Sequence, residues 1–189
     1  MNAKFWIAGV LSGIAMFIWG AASHMFFGWH DATYNSFRDE DKVMEVIAEE
    51  APHSGIYIAP VAGSMNEGLT SEQRDKAMEE MWAKSAQGPN IFVSVRREGM
   101  SSMGAPMILD FLALVLMSFV MLWLLQTVPG LSFGGKVLFV LIAGTVGMAL
   151  VQLEQWMWWS FSTTYVLVNI VDSALRWAVG GIVMAKMSK

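Results

Sequence analysis

The sequence has no cysteine, which excludes disulfides, thiolate-bound metals, iron–sulfur clusters and a cysteine nucleophile. Charge is also scarce. Only 15% of the 189 residues are charged, whereas soluble domains carry about 25%. Familiar signatures are missing too: there is no HExxH helix, no glycine loop to cradle a phosphate and no Ser-His-Asp arrangement. No basic patch suggests a nucleic-acid partner. What the chain does have is apolar: 55% hydrophobic residues, nine Trp, eleven Phe and sixteen Met, with a mean hydropathy of +0.47. This is the composition of a membrane protein, in which aromatics gather at the water interfaces.

The few charges are unevenly spread. Residues 29–104 hold thirteen of the sixteen acids and seven of the twelve bases, a net of −6. The remainder falls into four apolar stretches: residues 5–28, 105–126, 136–153 and 160–185. Each approaches the roughly 20 apolar residues a span needs. The first (Phe5 to Phe27) is longer than the core of about 7–15 residues in a cleaved signal peptide. Lys4, Lys136, Lys186 and Lys189 flank the spans on one side with no acid among them. The positive-inside rule puts that side, with both termini, in the cytoplasm and residues 29–104 outside it. The expected fold is therefore an all-α membrane protein of four transmembrane helices, with a small extracytoplasmic α/β cap between the first and second.

Within the cap, Asp39–Ala51 and Thr70–Gln87 read as helices, the second capped by Thr70 or Ser71 and stopped by Gly88-Pro89. Gly55–Pro60 and Asn90–Arg97 read as short strands. Glu154–Ser160 (EQWMWWS) reads as a tight interfacial turn between the last two spans.

The last span carries the most unusual pattern. At about 100° per residue, Ser162, Tyr165, Asn169, Asp172 and Arg176 fall within about 80° of one another. An ionisable group in a span costs about 2.5–3.5 kcal/mol on insertion scales and faces a bundle interior or a cavity. Asp172 and Arg176 stand at i,i+4 and can pair, either as a structural ion pair with Arg176 snorkelling toward the inner surface, or with Arg176 a counter-charge for an anionic substrate or lipid head group and Asp172 its orienting partner. In the first span Gly9, Gly13, Gly20 and His24 share a face, and Gly9/Gly13 form a GxxxG close-approach motif. The second span carries Asp110 among methionines, and the third ends a small-residue stripe on Glu154.

These positions suggest a polar pocket beneath the cap, formed by His24, Asp110 and Glu154 over a floor of Tyr165, Asn169, Asp172 and Arg176. Without any metal signature, His24, Asp110 and Glu154 are by residue type alone a candidate divalent-metal set, a proton relay, or interfacial groups that simply hydrogen-bond one another, the last favoured for Glu154 beside its turn. Methionine at helical spacing would suit Cu(I) but serves adaptable packing far more often. His30, Asp31 and His53 are ambiguous by type, the usual expectation for loop histidines near an interface being solvation.

At FIWGAASHMFFG (Phe17–Gly28) and VNIVDSALRWAVGGIVMA (Val168–Ala185) the chain resembles an uncharacterised family of small bacterial four-helix integral membrane proteins. In that family a Trp-containing aromatic motif ends the first helix, and an Asn-containing last helix ends in small residues. The resemblance implies a four-helix fold in a bacterial inner membrane and supplies no catalytic residue. The outer segment, 29–104, is longer than in the simplest members. Three functions follow as expectations. The leading one is an accessory or binding protein that docks a partner membrane protein, lipid or other hydrophobic ligand, with self-association through the glycine faces as a variant. The alternatives are a small oligomeric transporter or ion-coupled channel, and a metal-dependent membrane enzyme.

Overall fold

The computed structural model describes residues 3–62 and 68–188. Four helices are long and apolar enough to cross a membrane: α1 (Ala3–Phe26), α4 (Gly104–Gln126), α5 (Phe133–Trp159) and α6 (Thr163–Met187). Between α1 and α4 come a 3₁₀ turn (Asp31–Thr33), α2 (Glu40–Glu50), β1 (Gly55–Ala59), α3 (Ser71–Gln87) and β2 (Ile91–Val95). The chain divides into two compact units, Met1–Asn35 with Ser102–Lys189, and Ser36–Ser101.

In the first unit, neighbouring helices run antiparallel. α1 packs on both α4 and α6, and α5 packs along α6. A core of Phe5, Ala8, Met121, Leu122, Leu125, Val140 and Met184 fills the end that holds the N-terminus of α1. Close approach depends on glycine at two crossings. A Cβ on Gly13 would stand 2.9 Å from the Val115 backbone, and one on Gly144 would stand 2.2 Å from the Trp177 ring. The glycine faces expected to meet partners are thus covered at these positions by the bundle's own helices. The outer faces carry exposed Ile18, Leu109, Leu112, Ile142, Val146 and Leu150. So continuous an apolar exterior suits lipid rather than water.

The last two spans differ from expectation at three boundaries. The third span was expected over 136–153, but α5 starts at Phe133, where the Ser132 hydroxyl accepts the Gly135 N–H at 3.2 Å. It also runs on through Trp159, so the expected aromatic turn at Glu154–Ser160 is helical almost to its end. No Gly, Pro or Asn interrupts the stretch, and the helix stops only where Ser160 adopts a left-handed conformation (φ 58°). The last span begins at Thr163 rather than residue 160, because Ser162 serves as its N-cap and accepts the Tyr165 N–H at 3.2 Å.

The unit Ser36–Ser101 contains α2, α3 and a two-stranded antiparallel sheet in which Gly55 faces Val95 and Ala59 faces Ile91. Thr70 and Gln73 form a reciprocal capping box at the start of α3. Arg97 binds the last carbonyls of α2, donating to the oxygens of Ala48 (2.5 Å) and Ala51 (2.6 Å). The Ser54 hydroxyl donates to Glu98 at 2.5 Å. That bond holds the Glu98 carboxyl below its ordinary value. Ala51 is the one apolar residue fully buried here among the described residues.

Candidate functional site

The last two turns of α1 place Trp19, Gly20, Ser23 and His24 toward α6. Gly28, with φ 62°, then reverses the chain, a conformation that favours glycine. The reversal folds His30 back against the helix end. There the Thr33 hydroxyl and amide both donate to the His30 carbonyl, at 2.7 and 2.9 Å. His30 is only 5% exposed as a result. The expectation that it is a solvated loop residue is corrected: it is an interior side chain.

His30 meets three groups. Its ring stacks on His24 with centroids 3.9 Å apart and planes 10° from parallel. Its Nε2 lies 3.1 Å from the Ser23 hydroxyl, which also accepts the Trp29 indole N–H at 2.9 Å. The same Nε2 lies 3.8 Å from Asp172 Oδ2. Burial pushes the His30 pKa below its ordinary value, and His24 and Arg176 push it the same way, against the opposing pull of Asp172 and Asp31.

Asp172 is the hub of the cluster and is itself 5% exposed. Its Oδ1 accepts the Trp19 indole N–H at 2.8 Å, which ties α6 to α1. Its Oδ2 stands 3.6 Å from Arg176 Nη2, one helical turn on. The carboxylate therefore sits among an arginine, a histidine and an indole. Burying it alone would be costly, and this company offsets the desolvation. Gly20 makes room for the arginine, since a Cβ there would lie 2.8 Å from Arg176 Nη2.

Beside this cluster is a cavity of 710 Å³. His24, Asp110, Asn169, Asp172 and Arg176 contribute its polar wall, while Phe17, Met25, Met107, Met148 and Trp177 contribute apolar wall. Arg176 Nε is buried with no hydrogen-bond partner among the described residues. The Asn169 side-chain amide donates to the Tyr165 carbonyl at 2.8 Å, within its own helix.

No family model, curated protein or solved structure matches the chain. Its chemistry must therefore be read from this geometry.

The positions singled out from sequence separate into two groups. His24, Asp110, Asn169, Asp172 and Arg176 border one cavity. Glu154 does not join them: it lies exposed near the end of α5 and is not part of the lining. Tyr165 is half-buried one turn into α6, where its ring meets Tyr34 and Phe161, and it does not line the cavity either. The set His24, Asp110 and Glu154 is accordingly not assembled as one metal-binding group. The three side chains that do converge are His24, His30 and Asp172, each offering a ligand atom within 4.8 Å of the others. Sequence reasoning missed His30. The available signal was Gly28, a chain-reversing residue between two histidines six positions apart.

Proposed function

We propose that this chain is an integral membrane binding protein that takes one single-chain amphiphile with an anionic head group into the cavity beside Arg176. The observation that carries the reading is the state of that arginine. A guanidinium has five N–H donors and no acceptor. Here its Nε is buried with no hydrogen-bond partner among the described residues, and its nearest carboxylate oxygen there, at 3.6 Å, is too distant for a strong hydrogen bond. The cavity supplies the space a head group would need, and a volume of 710 Å³ falls within the roughly 300–1,000 Å³ usual for small-molecule sites. Methionine and aromatic walls suit the acyl portion, because methionine adapts to irregular shapes. Asp172 orients the arginine and Trp19 orients Asp172. The lysine distribution supports both termini in the cytoplasm and residues 29–104 outside it.

The test uses brominated amphiphiles of one chain length with carboxylate, phosphate, choline or alcohol heads, added to the purified chain in neutral detergent. Tryptophan quenching that disappears in Trp177→Phe reports the cavity. The carboxylate and phosphate forms should bind at least about tenfold tighter than the alcohol, as a charge-assisted hydrogen bond of about 1.5–3 kcal/mol requires. Arg176→Gln should erase the difference. Equal affinity for all heads, or a preference that survives Arg176→Gln, would overturn the reading.

A further inference from the structure

We infer that His24, His30 and Asp172 form a binding site for one divalent transition-metal ion of the zinc type, with its remaining coordination position open toward the cavity.

Two neutral imidazoles and one carboxylate are the donors of a three-ligand site, and a fourth position then falls to water or a ligand oxygen. The protein fixes these donors in the way metal ligands are usually fixed. A metal-binding histidine commonly donates its other ring N–H to a carbonyl or carboxylate. His24 Nδ1 lies 3.0 Å from the Gly20 carbonyl. A carbonyl can only accept, so Nδ1 carries the proton in the neutral ring and Nε2 keeps its lone pair for a metal. Asp172 is held similarly, because Trp19 occupies Oδ1 and leaves Oδ2 between His30 Nε2 at 3.8 Å and Arg176 Nη2 at 3.6 Å. His30 is locked through its backbone by Thr33. The donors come from the end of α1, the turn just after it and α6, so a metal would tie one local stretch of chain to a helix far away in sequence.

Two features of the geometry shape the expectation. The imidazoles are nearly parallel with centroids 3.9 Å apart. An ion about 2.0–2.1 Å from a nitrogen of each ring cannot lie in both planes. Loading the site must therefore tilt one ring out of the stack, and His24, the exposed member of the pair, is the one free to tilt. Arg176 stands 3.6 Å from Asp172 and opposes a second cation. Removing its charge should leave metal affinity unchanged or raise it, the reverse of its effect on an anionic amphiphile. That opposition separates the two proposals: Arg176→Gln tests the amphiphile site, and His30→Gln tests the metal site.

The experiment is Co²⁺ titration of the untagged, chelator-stripped full chain in detergent, followed by its visible d–d absorption and by displacement with Zn²⁺. One equivalent should bind with the intense bands of low coordination number. Asp172→Asn and His30→Gln should abolish those bands. His24→Ala, at an exposed position, should weaken binding at least tenfold while leaving thermal stability of the metal-free chain intact. Trp19→Phe, which frees the Asp172 carboxylate, should weaken binding by about 10–100-fold, the usual effect of losing an outer-shell partner. The third histidine, His53, lies exposed in the other unit, and His53→Ala should bind as wild type does. Weak octahedral-type absorption that is unchanged in His24→Ala and His30→Gln would overturn the proposal, as would a stoichiometry lost only in His53→Ala.

Discussion

Removing Arg176 alone should destabilise the bundle more than removing Arg176 and Asp172 together. Asp172 is 5% exposed and lies 3.6 Å from the guanidinium. At an effective dielectric of about 20, unit charges at that separation attract by about 4–5 kcal/mol. Two facts reduce what is measured. The Arg176 side chain is 22% exposed, which screens it. The pair also sits at i,i+4 on one helix, so a denatured state that stays helical in detergent retains part of the attraction. The expected coupling is then about 1–3 kcal/mol. Arg176→Met leaves a carboxylate in the interior with only the Trp19 N–H and a neutral imidazole beside it, and should cost about 2–4 kcal/mol, the lower part of the range for breaking a buried pair. Asp172→Asn should cost less, because the partly exposed arginine can turn toward the cavity. The double variant should be no worse than Arg176→Met. Reversible unfolding in mixed micelles with rising SDS, followed by tryptophan fluorescence, gives all four stabilities. Losses that add to within about 0.5 kcal/mol would refute the pairing and leave two independent polar residues.

Glycines at two crossings should behave differently when a methyl is added. Gly13→Ala drives a Cβ to 2.9 Å from Val115 Cα on α4 and should cost about 1–3 kcal/mol by overpacking, read from the same SDS titration. Gly20→Ala meets only the mobile end of Arg176, so it should leave stability nearly unchanged while weakening anionic amphiphile binding several-fold. The buried His30 sets a pH dependence. Its folded-state pKa lies below the ordinary 6.5, so below pH 6.5 the unfolded chain takes up a proton that the folded chain refuses. Stability should fall as pH drops from 6.5 toward the folded value, by at most about 1.4 kcal/mol per pH unit. His30→Gln should flatten that slope, and a slope persisting in it would place the effect elsewhere. In the Ser36–Ser101 unit, Thr70→Ala removes the capping box and should cost about 1 kcal/mol. Faster amide exchange in the first turn of α3 would register that loss.

Composition and period make the long helices legible. Four apolar runs separated by lysines and by one acidic segment leave little choice of architecture, and α4 starts and ends within one residue of the expected 105–126. The errors lie where a local rule competes with a propensity. Trp156, Trp158 and Trp159 suggest an interfacial turn because of what they are, yet nothing in EQWMWW breaks a helix, and α5 continues to Trp159. Ser162 looks like part of a polar stripe when the run is wound as one helix. The structure uses it to cap that helix, which moves the start of α6 inward.

The cluster shows a different kind of limit. A helical wheel can place Asp172 and Arg176 on one stripe, and His24 on the face that carries Gly20, because both facts are periodic. It cannot show that α1 offers Trp19 to Asp172, since that bond joins residues 153 positions apart. Nor can it place His30, whose burial depends on the turn at Gly28 rather than on any helix face. Polarity along a span therefore identifies which residues need partners, and the tertiary fold decides which partners they get. Asp110 makes the point from the other side. It reaches the cavity on an otherwise apolar helix, with an exposed side chain and no ion pair among the described residues. Asp110 thus stands at the cavity wall and outside the His24, His30 and Asp172 cluster. The buried carboxylate that needed company, Asp172, obtained it from a loop histidine and an indole that no periodicity connects to it.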